Sequence, residues 1–349
     1  MNFAYYKRSF VKVLFVLALL FQSVLYASAA TKTLDIYVVD TEGGKGVIIQ
    51  TPEGETMLID AGYPREDNRD TNRIVEAAQA LGIKQFDYIV ATHFDEDHAG
   101  NVPQLAAKIP AKTYVDHGEA IGATNRNNME QFYEPYIKFV TDKKRMIVKP
   151  GDIIPMKGLK ITVVSAGGKT ITEPLPGAGK TNEAFADAVR AKRGDIYDNA
   201  GSIGMLFEYG KFRMLDLADL LATVEYDLVC PNNLIGKVDL FMVSHHGYRI
   251  SNSRELVHSI SPKAAIMNNG PRKGGEAAVF DILASSPGLE DLWQLHFAAA
   301  TDKLKNRPED FIANLEDPCQ AKMIKVSVQQ DGTFTITNTR NNFSKTYKP

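Results

Sequence analysis

The stretch from Thr92 to Asn101, which reads THFDEDHAGN, gathers two histidines and three carboxylates directly after the apolar run FDYIV. Imidazoles and carboxylates at alternating positions let one short loop offer nitrogen and oxygen ligands to one divalent cation or to two neighbouring ones. A solvated acidic loop is the simpler alternative, but it leaves both histidines and the flexible Gly100 unexplained. We therefore predict a metal site whose candidate ligands are His93, Asp95, Asp97 and His98.

Two further groups of polar residues also follow apolar runs. RMLDLADL contains Asp216 and Asp219, and LFMVSHHGYRIS contains His245 and His246. Each group alone has an ordinary explanation, since an aspartate after a strand is often a helix cap and a histidine pair often lies on the surface. In open α/β sheets, however, the loops at the carboxyl ends of the strands converge. Together the three groups predict one shared site.

The elements that must position these groups alternate between strands and helices. TLDIYVVD predicts a strand, and GVIIQTPEGETMLIDAG predicts a hairpin around TPEGE because β-branched residues flank the turn. NRIVEAAQALGIK has apolar residues at helical spacing and ends at Gly82, and FDYIVATH follows as a strand. This strand, helix, strand order and its repetition along the chain indicate an α/β fold.

Two later segments complete the predicted organisation. AKMIKVSVQQDGTFTITNT predicts a C-terminal β-hairpin with its turn at Asp331 and Gly332. The segment from about Gly167 to Asn199 has little periodicity, which predicts a long surface loop inside one domain. Its GAGKT sequence does not predict a nucleotide site, because Pro174 stands where a phosphate-binding loop needs its first glycine.

Residues 1–29 differ from the rest of the chain. Lys7, Arg8 and Lys12 precede the apolar run VLFVLALLFQSVL, which is followed by the small residues ASA, and this order predicts a secretory signal peptide. A membrane anchor is the alternative, but the apolar run is short for one. We expect an exported protein, periplasmic or secreted, with residues 30–349 as a single domain and no membrane segment after cleavage. Cys230 and Cys319 could then form a disulfide or remain separate thiols.

The charge balance argues against nucleic acid as a bulk partner. The chain has 40 Lys and Arg against 42 Asp and Glu, a net charge of −2, and its basic residues are scattered. A protein that binds the phosphate backbone without sequence preference needs a concentrated basic surface instead.

The residues quoted above resemble those of a known family. THFDEDHAGN resembles the histidine and aspartate signature of the metallo-β-lactamase superfamily, usually His-x-His-x-Asp-His. VDTEGGKGVIIQTPEGETMLIDAG, NAGSIGMLFEYGKFRMLDLADL and VDLFMVSHHG resemble its other segments in the same order, so the likeness extends from Asp35 to about Gly270. It implies a four-layer αββα sandwich with a one- or two-metal centre between the sheets. The branch most similar in its motifs includes the hydrolase-like domain of bacterial DNA-uptake channel proteins.

The resemblance also implies roles for individual residues. His93 and Asp95 would hold a first metal, Asp97 and His98 a second, Asp219 would bridge the two, and His245 would complete the second site. Asp97, Asp219 and His246 are the predicted catalytic residues, and Asp60 in LIDAG would orient a ligand from behind.

The chain departs from the family pattern at two positions, and both affect the first metal site. Asp95 stands where most relatives have histidine, and the histidine expected before AGS is absent, which leaves Asp198 or Asn199 in its place. His117 is a candidate replacement, supporting residue or substrate contact. Zinc is the predicted ion, and the added oxygen ligands keep manganese and iron as alternatives.

The remaining candidates concern the substrate. MNNGPRKGG follows a predicted strand and would place Asn269, Arg272 and Lys273 over the site, where two cations suit a phosphate or carboxylate; an ordinary basic turn is the alternative. Further candidates for the wall of the pocket are Asn199, Ser202, His296 and the segment from Tyr248 to Ser251.

We predict an exported metal-dependent hydrolase of a small or oligomeric anionic substrate, with a phosphodiester as the leading candidate. The alternatives are an ester, lactone or amide hydrolase and a non-catalytic metal- or ligand-binding protein.

Overall fold

The computed structural model describes residues 33–121, 129–190 and 198–349. The predicted signal peptide over 1–29 lies outside these residues. In the described part, no helix combines the length and the apolar content that crossing a membrane would require. Cys230 and Cys319 are both free thiols, so the structure does not contain the disulfide that the sequence left open.

Two mixed β-sheets occupy the centre of the fold. The first has the strand order β18-β17-β16-β1-β2-β3-β4-β5-β6, and the second has the order β15-β14-β13-β12-β11-β10-β8-β7, with β9 paired to β8. The strands of the first sheet are β1 (Leu34–Val38), β2 (Val47–Gln50), β3 (Thr56–Ile59), β4 (Phe86–Val90), β5 (Ala111–Asp116), β6 (Arg145–Ile147), β16 (Ile324–Val328), β17 (Phe334–Asn338) and β18 (Ser344–Tyr347). Those of the second are β7 (Ile153–Met156), β8 (Leu159–Ala166), β9 (Lys169–Thr170), β10 (Gly204–Tyr209), β11 (Phe212–Asp216), β12 (Leu240–Met242), β13 (Ala264–Met267), β14 (Asp291–His296) and β15 (Ile312–Asn314).

Helices cover the outer face of each sheet. They are α1 (Arg69–Ala80), α2 (Val102–Ala106), α3 (Glu134–Val140), α4 (Ala222–Val229), α5 (Arg254–Ile260) and α6 (Ala277–Ala284). Apolar residues of α1, α2 and α3 pack on the first sheet, and those of α4, α5 and α6 pack on the second. The third core lies between the sheets. The four-layer αββα fold predicted from the sequence is confirmed.

Alternation along the strands explains how one sheet serves two cores. In β1, Ile36 and Val38 face the core between the sheets, whereas Tyr37 joins the core under the helices. In β11, Met214 and Leu215 divide in the same way. Successive side chains of a strand point to opposite faces, so each of these buried strands is apolar on both sides.

Parallel pairing brings the chemically interesting loops to one place. β3, β4 and β5 are parallel neighbours in the first sheet, and β11, β12 and β13 are parallel neighbours in the second. The carboxyl ends of neighbouring parallel strands lie at the same sheet edge. The loops after β4, β11 and β12 are the ones that carry the predicted ligands.

Several elements were not predicted from the sequence. The predicted C-terminal hairpin is present as β16 and β17, but β18 extends it by a further strand. β14, with the sequence DLWQLH, is buried along its whole length and therefore lacks the alternation that identifies a half-buried strand.

Candidate metal centre

Four predicted site residues from three distant segments meet in the buried region between the loops. One ligand atom from each of Asp97, His98, Asp219 and His246 lies within 4.8 Å of the others. His246 Nε2 is 3.0 Å from Asp97 Oδ2 and 3.2 Å from His98 Nε2. Asp219 Oδ2 lies 3.3 Å from His98 Nε2 and 3.4 Å from His246 Nε2. We refer to these four residues as the metal cluster, because two imidazoles and two carboxylates form a donor set suited to a divalent cation.

The charges of the metal cluster compensate one another. Burial would raise the pKa of Asp219, but His98, His245 and His246 hold that pKa well below its usual range. Burial would likewise raise the pKa of Asp97, yet His98 and Lys273 lower it strongly. The pKa of His98 moves the opposite way: burial would lower it, and Asp219, Asp97 and Asp60 raise it well above its usual value. Both carboxylates are therefore ionised and available as ligands.

Asp60 holds His98 from behind. His98 Nδ1 lies 2.8 Å from Asp60 Oδ2, so the ring donates its Nδ1 proton there and directs Nε2 into the metal cluster. Asp60 Oδ1 also accepts a hydrogen bond of 2.8 Å from the amide of Thr92, which fixes the start of the loop from Thr92 to Asn101, called the motif loop below. This is the contact expected of a carboxylate that orients a metal-binding histidine.

The consecutive histidines take different positions from those the resemblance implies. His246, not His245, lies beside Asp97 and His98. His245 Nε2 lies 3.4 Å from the same Asp219 oxygen, Oδ2, and 3.4 Å from Asn199 Nδ2. His246, a predicted catalytic residue, therefore takes the place beside Asp97 and His98 that the resemblance assigns to His245.

His93 has an unused ligand atom at the edge of the metal cluster. Its side chain is fully buried, and Nδ1 lies 3.2 Å from Thr92 Oγ1, whereas Nε2 has no hydrogen-bond partner among the described residues. Asp95 Oδ2 is 3.6 Å from that Nε2, which is beyond hydrogen-bonding distance. Burial and His98 would lower the pKa of His93, but Asp95 and Asp219 raise it above its usual value.

Asp198, the candidate ligand from the segment before AGS, is engaged by backbone amides. Its two carboxylate oxygens each accept a hydrogen bond of 2.6 Å, from the amides of Phe94 and Ile121. His117 Nε2 lies 3.4 Å from Asp198, and neither ring nitrogen of His117 has a hydrogen-bond partner among the described residues. Ser202 is fully buried and uses its carbonyl to accept a hydrogen bond from Ser165. Asp198 therefore connects the loops after β4 and β5.

Two predicted substrate contacts have structural roles instead. The Asn269 side-chain amide donates to the carbonyls of Gly270 and His296 and accepts from the His296 amide, so all of its polar atoms serve the backbone. His296 is buried in β14, and its Nε2 lies 2.6 Å from Asp40 Oδ1. These polar atoms of both residues have buried protein partners, and a substrate role for either residue stays a prediction. Arg272 is 82% exposed and lies 3.7 Å from Asp317.

Lys273 is the predicted substrate residue that reaches the metal cluster. Its ammonium donates to Asp97 Oδ2 at 2.5 Å and to the Tyr63 hydroxyl at 2.9 Å. Burial would lower the pKa of Lys273, but the charge of Asp97 raises it, so the ammonium stays protonated. Gly274 lets the lysine loop approach closely, because a Cβ at Gly274 would lie 2.0 Å from the His246 carbonyl oxygen. Tyr63 was not predicted, and its only sequence signal is its position directly after LIDAG.

A second group of potential ligands, Asp40, His296 and Cys319, is less suited to a cation. Asp40 Oδ2 accepts from Cys319 Sγ at 2.9 Å and from the Arg73 guanidinium at 3.0 Å. That guanidinium also lies 3.4 Å from Cys319 Sγ, so Asp40, Arg73 and Cys319 are already engaged with one another. Burial and Asp40 raise the pKa of Cys319 to about 12, so the sulfur remains a thiol.

Comparisons with known proteins agree with the predicted resemblance. The family model described as the Metallo-beta-lactamase superfamily matches residues 41–181, which include the motif loop. ComE operon protein 3 of Bacillus subtilis (strain 168) is 24% identical over 251 residues, covering 68% of this chain and 28% of that protein. Coenzyme F420H(2) oxidase of Methanothermobacter marburgensis is 27% identical over 106 residues, covering 30% of this chain and 24% of that protein. The predicted resemblance to the superfamily is confirmed.

The matches have limited extent. The chain spans about a quarter of the length of each of these two curated relatives, 28% and 24% respectively. Among solved structures, the metallo-beta-lactamase fold protein YhfI from Bacillus subtilis aligns with a TM-score of 0.45 and 11% identity, over 74% of this chain and 96% of that one.

Proposed function

We propose that the chain, which has the αββα fold and matches the metallo-β-lactamase superfamily model over residues 41–181, is a metal-dependent hydrolase of an anionic substrate, with a phosphodiester as the leading candidate. The observation that carries the proposal is the metal cluster, in which Asp97, His98, Asp219 and His246 converge within 4.8 Å beside the ammonium of Lys273. Polar side chains from distant segments that meet in a buried place with strongly shifted pKa values are typical of a functional site.

The residues present fit a divalent cation. Two imidazoles and two ionised carboxylates provide nitrogen and oxygen ligands. The His93 ring, whose Nε2 has no hydrogen-bond partner among the described residues, lies 4.1 Å from the His98 ring between centroids. Zinc is the ion we propose. Manganese or iron are alternatives because two of the four residues in the metal cluster supply oxygen ligands. A bound cation supplies Lewis acidity, which lowers the pKa of water and offsets charge that develops in the transition state.

Residues of the chain would position the water, bind the substrate and orient a metal ligand. The low pKa of Asp97 suits it to accept a hydrogen bond and hold water in position. The Lys273 ammonium contacts Asp97 Oδ2, the oxygen that also faces His98 and His246, and Lys273 and Tyr63 are donors that can bind anionic oxygens of the substrate. Asp60 keeps the His98 ring in the orientation in which Nε2 faces the cation.

The test is a hydrolysis screen on the protein stripped of metal and reloaded with Zn²⁺ or Mn²⁺. The substrates are bis(p-nitrophenyl) phosphate, a lactone panel and nitrocefin, and Asp97→Ala serves as the inactive comparison. We expect metal-dependent turnover of the phosphodiester that Asp97→Ala lacks. Turnover of lactone or nitrocefin alone would instead favour an ester or amide hydrolase, and metal binding without any turnover would favour a binding protein.

Replacing Lys273 by methionine should raise KM for an anionic substrate about 10- to 100-fold, because a charge-assisted hydrogen bond contributes about 1.5–3 kcal/mol. Lys273→Arg should retain most of the affinity, since the positive charge stays. The matched control is Lys305→Met, which removes a lysine paired with Asp281 outside the site. Steady-state kinetics on the phosphodiester measure the effect, and an unchanged KM in Lys273→Met would contradict a substrate role.

We also propose that the protein is exported after removal of residues 1–29, on the basis of the basic, apolar and small-residue segments quoted above. Mass spectrometry of the mature protein from its native host is expected to show an N-terminus near Ala29 or Ala30. A mature protein that retains residues 1–29 would contradict this.

A further inference from the structure

The loop that carries His245 and His246 has an unusual backbone conformation. Their φ angles are +52° and +53°, in the left-handed region that residues other than glycine seldom adopt. This conformation directs His246 Nε2 to within 3.0 Å of Asp97 Oδ2 and 3.2 Å of His98 Nε2, whereas the His245 ring lies beside Asn199. A strained backbone persists only where the surrounding structure holds it, so other residues must fix this loop.

Asn252 holds the loop through its side chain. Its Oδ1 accepts a hydrogen bond of 2.9 Å from the Ser244 amide, and its Nδ2 donates to the carbonyls of Ser244 at 2.8 Å and Tyr248 at 3.1 Å. Ser244 directly precedes the two histidines and Tyr248 follows them, so these three hydrogen bonds fix the backbone on both sides. Asn252 itself is fully buried and has a φ of +62°, which asparagine adopts more readily than most residues.

Glu225 of α4 holds Asn252 in turn. Its two carboxylate oxygens accept hydrogen bonds from the amides of Asn252 at 2.9 Å and Ser253 at 2.8 Å. Glu225 is fully buried, and this burial raises its pKa to about 7. Removing a carboxylate from water is costly, and these two amides are neutral partners that offset only part of that cost. A buried group with a shifted pKa is more typical of a functional site than of an ordinary core.

The helix that carries Glu225 also connects this loop to Asp219. α4 begins at Ala222, shortly after Asp219 in the chain, and the Ala222 amide donates a hydrogen bond of 2.9 Å to the Ile250 carbonyl. The amide of His245 donates, also at 2.9 Å, to the carbonyl of Ala218, the residue before Asp219. The two loops are therefore tied to each other and to the start of one helix.

We propose that Glu225 and Asn252 are positioning residues for the metal cluster, which hold residues 244–252 in the conformation that directs His246 Nε2 towards Asp97 and His98. Each acts through the backbone of the loop and not by contact with the ion. The inference rests on the proposed function, since it concerns the cation of the metal cluster. A cation requires its ligand atoms at defined distances, so a loop that relaxes should bind it more weakly.

The test measures zinc affinity and stability on the same variants. Each protein is stripped with a chelator, Zn²⁺ affinity is measured by competition with a chromophoric chelator, and urea unfolding of the metal-free protein gives its stability. Glu225→Gln keeps the size of the side chain but replaces one acceptor oxygen by a donor, so only one of the two loop amides keeps its acceptor. Asn252→Gly allows the positive φ and removes the three side-chain hydrogen bonds. We expect zinc affinity to fall about 10- to 100-fold in each variant, as for other residues that support a metal-binding histidine.

Leu228→Ala is the matched control. Leu228 lies on the same helix, and its side chain is fully buried in the apolar core under α4. The cavity should lower the urea midpoint, whereas zinc affinity should stay within about twofold of the wild-type value, because the cavity is independent of the loop.

Weakened zinc binding in Glu225→Gln or Asn252→Gly, whichever is folded by circular dichroism, together with unchanged binding in Leu228→Ala, supports the positioning role. An equal loss of affinity in Leu228→Ala would show that zinc binding only follows stability, and this would overturn the role. Wild-type affinity in both folded loop variants would overturn it as well.

The results also separate this inference from the proposed function. Wild-type zinc affinity in the loop variants of an active hydrolase overturns the positioning role and leaves the hydrolase intact. Weakened zinc affinity in those variants, when the wild type hydrolyses none of the substrates, supports the positioning role and contradicts the hydrolase. A wild type that binds no zinc, manganese or iron overturns both.

Discussion

Replacing Asp219 by asparagine is expected to lower the rate of hydrolysis by about 10³-fold or more. Asp219 Oδ2 lies within 3.3 to 3.4 Å of the Nε2 atoms of His98, His245 and His246, so one oxygen joins three imidazoles. An asparagine keeps the shape of the side chain but removes the negative charge. If the cation contributes about 4 kcal/mol to transition-state stabilisation, its loss corresponds to about 10³-fold, since each 1.4 kcal/mol is tenfold.

The measurements for this variant are kcat/KM on the phosphodiester and the zinc content of the purified protein. Asp60→Asn provides a graded comparison, because Asp60 contacts His98 only from behind, and loss of such a contact costs about 10- to 100-fold in metal affinity. Asp219→Asn should therefore be the more severe variant by both measurements. Activity within tenfold of the wild type in Asp219→Asn would show that the reaction takes place elsewhere.

The pKa shifts give this result a pH dependence. In the protein without metal, the carboxylates Asp219, Asp97 and Asp60 raise the pKa of His98 well above its usual value, despite its burial. A histidine must lose its proton to bind a metal, so metal binding releases protons. Zinc affinity of the wild type should therefore weaken as the pH falls. The Asp219 charge, which Asp219→Asn would remove, is one cause of this pH dependence.

Replacing Lys45 by methionine should lower the free energy of unfolding by about 3–5 kcal/mol, the usual cost of removing one partner of a buried ion pair. The Lys45 ammonium contacts the Asp216 carboxylate, and the two side chains are only 4% and 1% exposed. Lys45 precedes β2 of the first sheet and Asp216 ends β11 of the second, so the pair joins the two sheets close to the metal cluster. The methionine would leave Asp216 charged and buried without its counterion.

Urea unfolding followed by circular dichroism measures this effect. Lys160→Met is the matched control. The Lys160 ammonium lies 2.6 Å from the Glu208 carboxylate, but these side chains are 48% and 21% exposed, and surface ion pairs contribute only about 0–1 kcal/mol to stability. The double variant Lys45→Met with Asp216→Leu should recover much of the loss, since it removes both buried charges. Equal stability of Lys45→Met and the wild type would contradict a role for this pair in joining the sheets.

The amino-acid sequence alone determined which residue types form the site and where along the chain they occur. His93, Asp97, His98 and Asp219 each follow an apolar run, and the rule that the carboxyl ends of strands share a sheet edge was sufficient to predict that they meet. The alternation of strands and helices likewise predicted the fold class, because periodicity is a local property of the chain.

The tertiary structure decided which atoms of these residues are available. His245 and His246 are indistinguishable in sequence, and only their backbone dihedral angles place one beside Asp97 and the other beside Asn199. His296 is engaged by Asp40, a partner 256 residues away in the chain. Such pairings depend on how distant segments pack, and no local pattern reports them. For the same reason the contact of Lys273 with Tyr63, 210 residues apart, became visible only when the loops were brought together.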